Sequence, residues 1–299
     1  MTSAVVGNGL FTQWTPKVRR ISPEKEIKVF LGVNTSKGMN SLYIDYVGTL
    51  LTLGLLHPDK VIRDDGSRVT LMKYSNAYTE AWEILKLFKN GYMLLLFPAC
   101  WASNFFITYQ FNNVNGLLFN VRTRGLNNAL YWLAQIVGST GIGYVLYFSY
   151  KSRRKRGFLG LSIVALLGIA IWGGGLANQL RYSSDKPLKE LDFKNSGSAY
   201  AGPMILYFCY GLMDAMFQTF FYWTIRALED DSQTLSRYSG FYKGVQSAGA
   251  TVAWQIDSQK VSLLAQVLID WGLTTIAYPL VFTVISLSVK DENSIPIPD

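Results

Sequence analysis

Asp214 stands in the string YGLMDAMFQTFFYW, with Gln218 one helical turn beyond it and no other charged residue in the string. A carboxylate among Met, Phe and Leu can bind a proton, meet a polar solute, or accept hydrogen bonds that fix helix packing. Ionised in hydrocarbon it costs on the order of 3 kcal/mol, so it must face a cavity, find a partner or carry a proton. The string SRYSGFYKGVQSAGATVAWQID adds Lys243 and Gln246, and SNFFITYQFNNVNG adds Asn104, Gln110, Asn112, Asn113 and Asn115. Amides of this kind can line a polar route through a membrane. The pathway candidates are Asp214, Gln218, Lys243, Gln246, Asn112 and Asn115; Gln135, Asn178 and Gln179 are further deep amides. The structural alternative for Asp214 is a packing role, bonded to Gln218 or a tyrosine hydroxyl.

Other chemistries lack their residues. Lys243 precedes Gly244 with no Ser or Thr after it, so the phosphate-cradling loop pattern fails, and GIGYVL and WGGGLANQ miss the dinucleotide-binding glycine spacing. The two cysteines, Cys100 and Cys209, fall in apolar runs, and His57 is the one histidine, at a span edge beside Pro58. Neither a disulfide framework nor a zinc site is expected, and no cofactor. No nucleophile, metal set or acid–base pair has usable spacing, so an enzyme is not expected.

The elements that must position these residues are membrane spans. Charged residues make up 16% of the 299, against roughly 25% in a soluble domain. Mean hydropathy is only +0.17, so the polar residues must be gathered between apolar stretches. Runs of about 20 apolar residues, enough for roughly 30 Å of hydrocarbon, occur at 91–112, 127–149, 157–178, 202–226 and 264–288. Residues 236–256 qualify on length but not on hydropathy. On a helix there, Gly240, Gly244, Ala248, Thr251 and Gln255 share a small, polar stripe, expected to pack on neighbours or water, with Gly240, Gly244 and Ala248 as the packing residues. Phe241, Val245, Val252 and Ile256 share an apolar stripe expected to meet lipid. Lys243 is placed about one turn from the inner end, where it can snorkel, and Asp257 at the outer end.

The reading is therefore all-α: a six-helix transmembrane domain at 91–290, a short run at 41–57 carrying Asp45 that is either a partial span or an interfacial helix, and an atypical leader at 1–40. Residues 58–90 form a cytoplasmic connection with a turn at Asp65-Gly66 and an amphipathic helix along the inner surface, on which Trp82, Leu85 and Phe88 follow helical spacing. Residues 182–200 are the main outer loop and 291–299 a cytoplasmic tail. Basic residues gather in cytoplasmic loops, and the cluster KSRRKR at 151–156 puts the C-terminus inside. The basic leader fits that orientation poorly if 41–57 spans. The net charge of +8 then reads as a topogenic signal with some attraction to anionic lipid; no nucleic-acid motif accompanies it, and no nucleic-acid partner is expected. No cleaved targeting segment is read at residues 5–11, and Asn34 heads a glycosylation sequon, used only if that side is lumenal.

The strings YQFNNVNGLLFNVRTRGLNNALYWLAQIVGS, AIWGGG, YGLMDAMFQTFFYW and SRYSGFYKGVQSAGATVAWQID resemble the fungal and plant branch of the Unc-93-like proteins, a divergent arm of the major facilitator superfamily. The resemblance runs from about Tyr46 to Lys290. It implies a fold of about twelve spans in two six-helix halves, with these strings in the second half. It also implies that 149–157 is the basic facilitator loop. Gly143 and the arginines remain there, whereas FSY stands where an aspartate is expected, which puts the ordinary gating salt bridge in doubt.

Three functions follow as expectations. The chain moves a small solute or ion, as a half-transporter that needs a homodimer or a partner. Alternatively it is a non-transporting regulatory or trafficking subunit of another membrane protein. The third is a truncated, inactive product.

Overall fold

In the computed structural model the described residues are 76–182, 190–229 and 231–289. The expectations for the leader, the partial span, the Asp65-Gly66 turn, His57, Asn34 and the tail lie outside them. What is described is an all-α, multi-pass bundle.

A short helix, α1 (Ala77–Lys86), continues through a 3-10 turn (Leu87–Lys89) into α2 (Gly91–Leu118). Then come α3 (Val121–Phe148), α4 (Arg153–Arg181), α5 (Ser198–Leu228), α6 (Ser232–Ser258) and α7 (Leu263–Ser288). Five of these, α2, α3, α4, α5 and α7, are long and apolar enough to cross a membrane. As its composition foretold, α6 has the length but not the hydropathy. α3, α4, α5, α6 and α7 begin before their apolar runs because capping groups lie outside the hydrocarbon stretch. Asn90, Asn120, Ser152, Asp231 and Ser262 each accept a backbone N–H of the first turn. Their side chains satisfy donors that a helix start leaves open. α5 starts instead after Gly197, whose φ of +53° is the left-handed region that glycine tolerates.

The most extensive seam joins α3 to α5. Small residues make it. A Cβ on Gly138 would stand 2.6 Å from the Leu212 carbonyl oxygen, and one on Gly211 would stand 2.5 Å from that of Tyr131. In a membrane, where lipid is as apolar as leucine, such close backbone approach is a main source of helix association. α6 meets α2 in the same way, with Gly249 against the Trp101 carbonyl. α7 lies on α2 and α4, and α4 on α5. Exchanging α2 with α5, α3 with α6 and α4 with α7 maps these five pairings onto themselves. Because the connections between successive helices are mostly short, α2 and α5 start from opposite ends of the bundle, so the exchange is an inversion.

Three expectations about α6 are corrected. Its packed face is Phe241, Tyr242, Val245, Gln246, Gly249 and Ala253, so Phe241 and Val245 face helices rather than lipid. Of the expected packing residues, Gly240 does pack, against Ile84 of α1, but Gly244 has nothing within 4 Å and Ala248 is exposed. Hydropathy cannot choose between the faces, since a helix neighbour and a lipid tail are equally apolar. Lys243 is also deeper than expected, about three turns in from Ser232, because the helix begins before the apolar part does.

α1 docks by its acidic edge. Arg237 of α6 donates from Nε to Glu80 Oε2 (2.8 Å) and from Nη2 to Glu80 Oε1 (3.1 Å), a bidentate pair. Trp82, Leu85 and Phe88 are left exposed, the stripe expected to lie along the membrane. Arg237→Ala should loosen α1 at a modest cost, since the ion pair is partly exposed. Limited proteolysis after Lys86 and Lys89 should quicken severalfold while the melting of the bundle stays unchanged; equal cleavage rates would mean that the apolar contacts, Ile84 against Gly240 and Phe88 against Phe241, hold the segment without the ion pair.

Candidate functional site

Asp214 lies at the middle of α5 and is 1% exposed. Its neighbours are neutral donors from two helices. Gln218 Nε2, one turn along α5, donates to Oδ1 at 2.7 Å, and Gln135 Nε2 of α3 donates to Oδ2 at 2.6 Å. The Tyr131 hydroxyl, also on α3, is 3.2 Å from Oδ2 and 2.9 Å from Gln110 Oε1 on α2. A phenol has one proton, so Tyr131 serves one acceptor at a time. With the Gln110 amide turned over, its NH2 donates to Tyr131 and the phenol proton goes to Asp214; Gln110 Nε2, otherwise without a partner, is then satisfied. The Gly138 and Gly211 contacts bring α3 and α5 close enough for these short bonds.

From Gln218 the network continues to α2 and α6. Gln246 Nε2 is 3.0 Å from Ser103 Oγ, 3.2 Å from Asn104 Oδ1 and 3.3 Å from Gln218 Oε1. Lys243 Nζ donates to Gln246 Oε1 at 2.8 Å and lies 5.6 Å from the Tyr222 ring centroid and 5.7 Å from that of Tyr242. A carboxylate and an ammonium are thus joined through two glutamines at mid-depth, with α2, α3, α5 and α6 all contributing. The ammonium balances the carboxylate at a distance, and the amides can donate or accept on either side. The arrangement can carry a proton or hydrogen-bond a polar solute, and it offers no nucleophile poised for covalent chemistry. On the exposed side of α6, Lys243, Gly244, Ser247, Ala248, Thr251 and Gln255 extend the polar surface.

Four of the six pathway candidates, Asp214, Gln218, Lys243 and Gln246, come together here. Asn112 and Asn115 do not; both lie toward the end of the bundle opposite the basic cluster. There α2 takes a π-helical turn, Tyr109–Asn115, which shifts its side chains off the ideal helical faces. Asn112 and Asn113 each donate at 2.9 Å to Asp257, clasping the end of α6. Asn115 Nδ2 bonds Asn128 Oδ1 at 2.8 Å, and the Tyr207 hydroxyl donates to the same oxygen at 3.0 Å. At that end Asp192 accepts from Arg122 at 2.5 and 2.7 Å; the guanidinium holds its carboxyl below the usual aspartate range, so the clasp is charged at neutral pH. Tyr131, Ser103 and Tyr242 were missed in the sequence, where a tyrosine in an apolar run reads as hydrophobic or interfacial.

No protein-family model and no solved structure matches the chain. Among curated proteins it is 59% identical over 262 residues to UNC93-like protein 1 of Arabidopsis thaliana, covering 87% of this chain and 57% of that protein. An UNC93-like protein of Schizosaccharomyces pombe is 38% identical over 260 residues, 84% of this chain and 51% of that one. An uncharacterized membrane protein of the same yeast is 30% identical over 269 residues, 85% and 54% respectively. The chain spans a little over half the length of these relatives. With such identity over most of its length, and with the multi-pass helical bundle described above, the chain belongs to the UNC93-like family.

Proposed function

We propose that the chain is one six-helix unit of a transporter for a small polar solute or ion, of major-facilitator type, with the Asp214 network lining its pathway. The observation that carries the reading is the mid-depth connection of Asp214 to Lys243 through Gln218 and Gln246. Intramembrane ionisable residues are functional sites by default, because a helix bundle that needs only packing does better without them. The inverted exchange of helix pairings supports the reading, since secondary transporters are commonly built from inverted repeats with the site at mid-membrane. The polar exposed face of α6 supports it as well: lipid solvates Lys243, Ser247, Thr251 and Gln255 poorly, whereas a second unit or a watery pathway solvates them well. That second unit is another copy of this chain or a different six-helix chain.

A second reading, a regulatory or trafficking subunit, draws on one observation: both Asp214 oxygens are already satisfied by protein donors, as in a purely structural clasp. Asp214→Asn separates the two. In vesicles carrying the assembled protein, solute flux should fall by at least roughly tenfold while native mass and abundance stay unchanged. Flux unaffected by Asp214→Asn would overturn the pathway role, and parallel loss of flux and assembly would assign Asp214 to packing.

A further inference from the structure

Asp270 of α7 is 3% exposed and takes no part in the Asp214 network. Its Oδ2 has no hydrogen-bond partner, and neither has the Thr108 hydroxyl of α2. The two line one cavity, together with Phe105, Tyr109, Ile256 and Gln266, with room for a single water-sized guest, about 10 Å³. Two unpartnered polar groups in one apolar chamber of that size are a built site, since a buried water needs polar partners and a buried acid needs its charge answered.

We propose that the Thr108–Asp270 cavity is a proton-binding site, in which the Asp270 carboxyl carries the proton and one water joins it to the Thr108 hydroxyl. No positive group is placed to neutralise an ionised Asp270. Among the described residues no Lys or Arg is buried. α4 has no titratable residue between Arg156 and Arg181. α2 and α5 present Tyr109 and Tyr210, and Asp257 of α6 is held by Asn112 and Asn113. A metal cation fits less well. Hard cations such as calcium and magnesium gather six or more oxygens, but the Tyr109 hydroxyl is given to Gln179 and the Gln266 amide is taken by Asn113 and the Val261 carbonyl. A proton needs only the carboxyl and its water.

A second cavity adjoins this one through a shared residue. Tyr109 is a wall of a second cavity, lined with Asn113, Asn178, Gln179 and Tyr182, toward the end opposite the basic cluster. Its hydroxyl donates to Gln179 of that second cavity, so Tyr109 is the residue the two cavities share. The site is independent of the Asp214 network and does not rest on the transport reading.

Infrared spectroscopy of the purified full chain in lipid nanodiscs at neutral pH tests this directly. A protonated, apolar-buried carboxyl gives its own C=O band. Asp270→Asn should remove one such band completely, and Asp214→Asn should leave it in place. Thr108→Val, close in shape, should keep the band but shift it as the acid loses its partner. A spectrum unchanged by Asp270→Asn, or a carboxyl band that emerges only when sodium is withdrawn, overturns the proposal in favour of an ionised Asp270. If Asp270→Asn does not fold, a Thr108→Val spectrum with the band unmoved overturns it equally. The readout involves no flux, so a failure of the transport reading would leave it intact.

Discussion

Gly211→Leu is expected to prevent assembly of the bundle, whereas Gly141→Ala is expected to be neutral or mildly stabilising. Even a single methyl at position 211 would stand 2.5 Å from the Tyr131 carbonyl oxygen and 3.0 Å from its ring. The obstacle is backbone, which no rotamer change can remove, so α3 and α5 would have to separate. Overpacking by a methyl or two commonly costs 1–3 kcal/mol. A leucine adds several heavy atoms on the most extensive seam and should cost more than about 3 kcal/mol, a large part of the stability of an ordinary domain. Gly211→Ala is the graded intermediate. Gly141, on the same helix as the Gly138 contact, has nothing within 4 Å, so alanine there gains up to about 1 kcal/mol of helix propensity. Detergent-extracted protein on a sizing column reads the series: Gly211→Leu should elute as aggregate and Gly141→Ala as the parent does. A parent-like Gly211→Leu profile would mean that α3 and α5 are not held by this contact.

That contact shows what a lone sequence can and cannot disclose. Spans were legible because bilayer thickness sets a length and charged residues mark its ends; α6 was legible despite its polarity because its residues repeat at helical spacing. Asp214 and Gln218 were legible as a pair because a charge in an apolar run has few uses. The facing of each helix was not. Gly211 and Gly141 look alike in the chain, and only the position of the neighbouring helix tells them apart. The two stripes of α6 were assigned to opposite surroundings for the same reason, since Phe241 serves a helix neighbour as well as a lipid tail. Asn112 and Asn115 were grouped with Asp214 as amides of one apolar run, but they lie toward one end of the bundle, where they bond Asp257 and Asn128. Tyr131 joins Asp214 across 83 positions, a separation that no local pattern spans. Asp270 did have a signal, a carboxylate within LLAQVLIDWGL, of the same kind that singled out Asp214.

Replacing Asp214 by residues that remove first its charge and then its acceptors should give a stepped loss of stability. Asp214→Asn keeps one oxygen, so one of the two glutamine donors stays satisfied and the amide can seek an acceptor of its own. Interhelical hydrogen bonds in membranes average about 0.6 kcal/mol, rarely more than about 1.7, so Asn should cost about 1 kcal/mol. Asp214→Leu removes both oxygens. Gln135 Nε2 and Gln218 Nε2 then lose their shortest acceptors, and each unsatisfied buried donor costs about 1–3 kcal/mol where no replacement is found. Gln218 has an alternative in Asn104 Oδ1, at 3.5 Å, whereas among the described residues Gln135 Nε2 bonds Asp214 alone, so the larger share should fall on the α3–α5 seam. Apparent melting in nanodiscs at one fixed scan rate should therefore fall in the order Asp, Asn, Leu, with the second step larger than the first. Adding Gln135→Leu to Asp214→Leu removes the stranded donor and should recover part of that loss. If the double variant melts no higher than Asp214→Leu alone, the clasp between Gln135 and Asp214 does not hold the seam, and the carboxylate is present for the pathway alone.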